Sequence, residues 1–174
     1  MRITTKIVLV IIIGLSLISN QGFAQKFSKH DIKSAYIHNI IRFIKWPSEK
    51  TSLTLVVVGK NEFTSVLKSK LKNQKIGNRT IKIVDSTSKE NYTNCDIIFF
   101  AKDERFNHLE ILKQIRNYSI LSIGENESFC GNGGIINFVE GNNGNYFFEI
   151  NQSQAMKEKI QISSKLLNLA IKII

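Results

Sequence analysis

Residues 52–63, "SLTLVVVGKNEF", contain a run at 53–58 of leucine, threonine and valine without a break. A strand with one wet face alternates polar and apolar side chains, whereas a strand covered on both faces does not. The run therefore reads as a central strand with helices on either side of its sheet. Gly59 and Lys60 follow it directly, and pose the question of whether this strand feeds a phosphate-binding loop. Upstream, Ser28 stands three residues before Asp31, the spacing of a capping box. Ile32, Tyr36, Ile40, Phe43 and Ile44 then recur at helical spacing, so a helix is expected until Pro47 stops it. Trp46 is expected to plug the gap where that helix hands the chain to the central strand.

Downstream, Asn61 can cap a second helix reaching Lys72. Residues 80–84 and 96–101 read as strands, a helix is expected over 106–116, and 119–123 reads as a further strand. Residues 135–150, "IINFVEGNNGNYFFEI", read as two strands around a glycine- and asparagine-rich turn. A last amphipathic helix, capped by Asn151 or Ser153, is expected to run to the C-terminus. Strands alternating with helices imply a largely parallel sheet. The expected fold is α/β: a single three-layer Rossmann-like domain, its mostly parallel sheet ending in a C-terminal antiparallel hairpin and flanked by helices.

The phosphate-loop question is answered by spacing. A Walker loop needs two glycines separated by four residues and followed by Lys-Ser/Thr, so that backbone N–H groups surround the phosphates. Here one glycine precedes Lys60 and Asn61, and no strand is followed by G-x-G-x-x-G. Gly59 is instead a structural glycine that permits a tight turn out of the strand. The glycines of "GNGG" at 131–134 precede a strand and give backbone freedom at a turn, the role assigned to Gly134. Phe129 and Gly133 in the same long loop are candidate partner contacts, because such loops often carry function. His30, His38 and His108 are far apart and lack ligand spacing. No reactive motif surrounds Cys95 or Cys130, and Glu140 and Glu149 merely flank the hairpin. The sequence carries no catalytic constellation, no cofactor motif and no metal motif.

The chain opens with Arg2 and Lys6, an apolar run at 7–18, and the small residues Gly22 and Ala24. This is the pattern of a secretory signal peptide, and the run is short of the about 20 residues a spanning helix wants. Residues 1–24 are expected to be removed by a cut between Ala24 and Gln25, leaving 25–174 as one domain of 150 residues, since 174 minus 24 is 150. The cut removes two of 24 basic residues, leaving 22 against 14 acidic ones and a net charge of +8. The lysines are scattered without interleaved aromatics, which describes a solvated exterior. Export argues against nucleic acid as a partner.

Winding residues 31–45 on a helix spreads Ile32, Tyr36, Ile37, Ile40, Ile41, Phe43 and Ile44 over an arc of about 180°, against a usual buried stripe of about 100°. The expected last helix has an arc of about 200°. Either both helices are deeply buried, or the surplus surface (Ile37 and Ile41, or Leu169 and Ile173) meets a second chain, as a homodimer or a partner complex. Cys95 and Cys130 are expected to stay unpaired. Cys95 enters one strand and Cys130 leaves the next, which should lie parallel, so about 17 Å of sheet separates them, whereas a disulfide needs Cα atoms within about 7 Å.

Several segments coincide with one family pattern: "IKSAYIHNIIRFIKWP", "LTLVVVG", "CDIIFFA", "GGIINF", "YFFEIN" and "ISSKLLNLA". In this order, with Trp46-Pro47 and Gly133-Gly134, the chain resembles the YfiR family of bacterial periplasmic proteins over essentially the whole mature sequence. The resemblance implies a periplasmic regulator without catalysis or cofactor. Such a protein binds the periplasmic domain of an inner-membrane diguanylate cyclase, or in a distant lineage a histidine kinase, and holds it inactive. Members of this kind carry two disulfides; this chain has only two cysteines. The alternative function is a periplasmic small-ligand binder, for which the loop from Gly124 to Gly134 beside a parallel sheet is the supporting feature.

Overall fold

A computed structural model describes residues 28–46, 50–59, 62–86, 91–102, 107–142 and 144–174. The expected signal peptide, Pro47, Lys60 and Asn61 lie outside them. Helix α1 (Lys29–Arg42) starts on the predicted capping box: the Ser28 hydroxyl accepts the Asp31 N–H at 3.1 Å, and the Asp31 carboxylate accepts the Ser28 N–H at 2.9 Å. It ends short of Pro47, because Ile44–Lys45 (β1) is drawn into pairing with a later strand. The chain continues through β2 (Ser52–Val58), α2 (Phe63–Leu71), β3 (Lys75–Ile76) and β4 (Arg79–Ser86). Then follow β5 (Ile97–Phe100), α3 (His108–Gln114), β6 (Leu121–Gly124), β7 (Ile136–Glu140) and β8 (Tyr146–Ile150). The last elements are α4 (Gln152–Lys157), β9 (Gln161–Ile162), α5 (Ser164–Leu167) and β10 (Lys172–Ile173).

Among the described residues the main sheet has eight strands in the order β10-β8-β7-β6-β5-β2-β4-β3, and β1 with β9 forms a separate two-stranded piece. Strand β2 lies parallel to β4 and β5, β5 to β6, and β6 to β7, while β7 and β8 form the expected antiparallel hairpin. The unbroken apolar run in β2 now has its cause. Leu55 and Val57 join Ile97 and Phe99 beneath α1 and α2, whereas Val56 and Val58 join Ile98 and Phe100 beneath α3. Each such side chain contributes about 1.5–3 kcal/mol when fully buried. Gly59, at φ 105°, makes the turn out of β2 in a conformation that other residues adopt only with strain.

The predicted C-terminal helix is a correction. Asn151 does cap α4, accepting the Gln154 N–H at 2.8 Å. Lys159 then takes φ 59°, and the N–H groups of Lys159 and Ile160 bond back to Met156 at 3.0 Å and Ala155 at 2.8 Å. Those two bonds make a Schellman stop. Ile162 pairs with Ile44, Ser163 caps the short α5, and the chain finishes as edge strand β10 beside β8. The 200° apolar arc therefore does not exist, because its residues are divided among β9, α5, β10 and the turns beside them.

Both cysteines are free and buried. Strand β6 is parallel to β5, with Leu121 opposite Ile97, so the two thiols leave opposite edges of the sheet as the sequence suggests. Burial, followed by the charge of Asp96, pushes the Cys95 thiol up to about 12. Burial and then Glu149 push Cys130 up to about 12 as well. Near neutral pH both are therefore protonated and poor nucleophiles. Titration of unreduced protein with a thiol reagent is expected to be slow while the domain is folded, and to yield two thiols per chain after denaturation. A monomer yielding none would contradict the topology.

Candidate interaction surface

Ile37, Ile41 and Phe129, named from the sequence as partner contacts, are fully buried, and that reading is corrected. Helix α1 has apolar neighbours below and to one side. Tyr36 meets Phe138 and Phe148 edge-on at 6.0 and 6.2 Å, and α2 runs alongside. The broad arc of α1 is consumed by the sheet and by α2. Phe129 lies across two glycines: a Cβ on Gly134 would stand 2.1 Å from its ring, and one on Gly124 2.6 Å. Gly134 is thus required by close approach of a ring, while Gly133, at φ 97°, makes the left-handed turn beside it. The Phe129 ring also packs 5.4 Å from Phe100. The loop is a plug on the α3 face, and Gly133 is half-buried at its rim.

Leu169 and Ile173 have the opposite fate. They are 64 % and 49 % exposed, and Ile171 between them is 54 % exposed. Ile174, Phe147 and Met156 are exposed too, and none of these three was named from the sequence as a contact. Residues 171–174 form the rim of the sheet, with Ile173 in register with Ile150 and Lys172 with Glu149. The rim is held firmly. The Ile171 N–H donates to Phe148 at 3.0 Å, the Ile174 N–H to Ile150 at 2.8 Å, and the Ile174 carbonyl accepts the Gln152 N–H at 2.8 Å. Among the described residues no strand covers the outer side of β10. An edge strand with exposed isoleucines offers both unpaired backbone groups and apolar surface to another chain. Proteins ordinarily guard such edges with charge and shortness; here only Lys172 and a two-residue strand do so.

At the carboxyl ends of the parallel strands, where α/β sheets often hold ligands, the described residues include paired charges. Lys33 pairs with Glu125, both largely buried, and its ammonium stands 5.2 Å from the Phe63 ring and 5.4 Å from the Tyr146 ring. Glu125 also accepts the Lys102 N–H at 3.0 Å, and Lys29 pairs with Glu140 nearby. Each of these four charges has a partner, and among the described residues of this group no nucleophile stands beside a base. Among the described residues no three His, Cys, Asp or Glu side chains converge as metal ligands, and no helix is long and apolar enough to cross a membrane.

The YfiR/HmsC-like family profile matches residues 30–171. No curated protein matches the sequence at a significant level. Among solved structures, the chain is similar to the ABC domain in complex with L-Trp from Streptococcus pneumonia, with 11% identity and a TM-score of 0.55. The alignment covers 84% of this chain and 60% of that one. A conserved domain protein from Vibrio cholerae O1 biovar El Tor is similar with 15% identity and a TM-score of 0.56, over 81% of this chain and 60% of that one. The chain thus spans about three-fifths of each neighbour, and at this identity the likeness concerns the α/β fold alone.

Proposed function

The chain belongs to the YfiR/HmsC-like family, and from that membership we propose that it is a non-catalytic periplasmic regulator of a membrane signalling enzyme. It binds the periplasmic sensor domain of an inner-membrane diguanylate cyclase and restrains it. A histidine kinase of similar layout is the second partner class. Leu169 and Ile173 on the rigid C-terminal rim are the contact residues, and their exposure beside an open strand edge is the observation that supports this reading. Rim residues of this kind contribute through buried apolar area, which is concentrated in a few side chains at protein interfaces.

The test is a pull-down from membranes with the mature protein and with Leu169→Asp/Ile173→Asp. The wild type is expected to capture a membrane protein that joins a periplasmic sensor region to a cytoplasmic cyclase or kinase. The double variant, changed only at exposed positions, should melt within a few degrees of wild type and lose the partner, since losing a hot spot costs about 2 kcal/mol or more. Capture of a transporter instead would favour a small-ligand binder. Equal capture by both proteins would remove the contact from the C-terminal rim.

A further inference from the structure

Sulfur is unevenly exposed in this chain. Cys95 and Cys130 are only 6 % and 1 % exposed, and burial keeps both thiols protonated near neutral pH. An oxidant attacks a thiolate that it can reach, so neither cysteine is a ready target. Of the two methionines, Met1 lies in the expected signal peptide, which leaves Met156 as the only thioether of residues 25–174. Met156 is 71 % exposed, more than any other large apolar side chain among the described residues. A thioether has no proton to lose before it reacts, so access alone decides its oxidation. Its place in the fold ties it to the C-terminal rim. Gln152 and Met156 stand one turn apart on α4, share a face, and line one cleft of about 450 Å³. The Gln152 N–H holds the Ile174 carbonyl at 2.8 Å, so α4 starts against the end of β10. The buried Ala155 and Ile160 and the half-buried Ile162 give the same cleft an apolar floor.

We propose that Met156 extends the contact surface from the rim onto α4 and is its oxidation site: a peroxide converts the side chain to the sulfoxide, and the membrane partner is released. The inference rests on the rim being the contact surface, as read above. In the step, the thioether sulfur gives an electron pair to the terminal peroxide oxygen, and an S–O bond forms as the O–O bond breaks. The proton of the transferred oxygen passes to the leaving oxygen, which departs as water or an alcohol. A flexible thioether packs well against a partner. The sulfoxide is polar and must be desolvated to enter the same contact, which opposes binding. Because Met156 is exposed in the free protein, the change leaves the fold alone.

The mature protein is treated with dilute hydrogen peroxide, the added oxygen is placed by peptide mass mapping, and capture of the partner from membranes is compared before and after. One oxygen atom per chain is expected on Met156, with both thiols still free after denaturation and the melting temperature unchanged. Capture should fall about fivefold or more, the lower end of what an unpaired buried polar group costs. Dithiothreitol alone should not restore it, whereas methionine sulfoxide reductases acting on both epimers should. Capture by Met156→Leu, at whatever level it starts, should be the same before and after peroxide. Equal capture by treated and untreated wild type overturns the inference and leaves the rim as the contact surface. Oxygen placed first on another residue, or loss of capture by treated Met156→Leu, overturns it as well. No capture by untreated wild type removes the reading beneath it, and the inference falls with that reading.

Discussion

Ile41→Asp, and equally Ile37→Asp, unfolds the domain. Both side chains are fully buried in the cluster between α1, α2 and the sheet. Removing a buried isoleucine costs about 2–5 kcal/mol, and a carboxylate in its place must be desolvated or protonated at a further cost of several kcal/mol. Together these reach the about 5–15 kcal/mol of stability that a domain has. Circular dichroism of either variant at 25 °C should show lost cooperative melting. Leu169→Asp is the contrast, since an exposed substitution changes stability by no more than about 0.5 kcal/mol. A cooperative melt near the wild-type temperature for Ile41→Asp would mean that α1 does not lie on the sheet as described.

Phe129→Ala should cost about 3–5 kcal/mol, the range for a buried aromatic cut back to alanine. Gly134→Ala should cost about 1–3 kcal/mol or more by overpacking, because its Cβ would stand 2.1 Å from the Phe129 ring. The two costs have one origin, so they should not add. In the Phe129→Ala background the methyl group of Gly134→Ala enters vacated space, and the coupling measured by urea unfolding of the four proteins should exceed about 1 kcal/mol. Additive costs would show that Gly134 is needed for some reason other than the ring.

How far the sequence was legible depends on which physical signal each element carries. The β2 run, the Ser28–Asp31 box and the 135–150 hairpin are local patterns, and each formed where it was expected. The short pieces β1, β9 and β10 have two residues each and exist only through partners distant in sequence, so local periodicity misses them, while β3 is a two-residue arm of a hairpin with β4, too short to show a period. The C-terminal misreading has a particular cause. Lys159 takes a left-handed turn without the glycine that usually marks one, so the helical pattern seemed to continue. The alternation Ile160-Gln161-Ile162 and the serines at 163 and 164 were the available signals of a break. On α1, a wide apolar arc shows how much surface is hidden but not what hides it. That is why Ile37 and Ile41 were weighed as contacts while Ile171 and Ile174, which flank the unread strand β10, were not.

The central claim is that this protein restrains a signalling enzyme by contact through its C-terminal rim. Cellular cyclic-di-GMP, measured in a strain lacking the gene and again after complementation, tests it most directly. Deletion should raise the level, wild-type protein should restore it, and Leu169→Asp/Ile173→Asp, exported and folded in equal amount, should leave it raised. An unchanged level on deletion, or full restoration by the double variant, would contradict the claim.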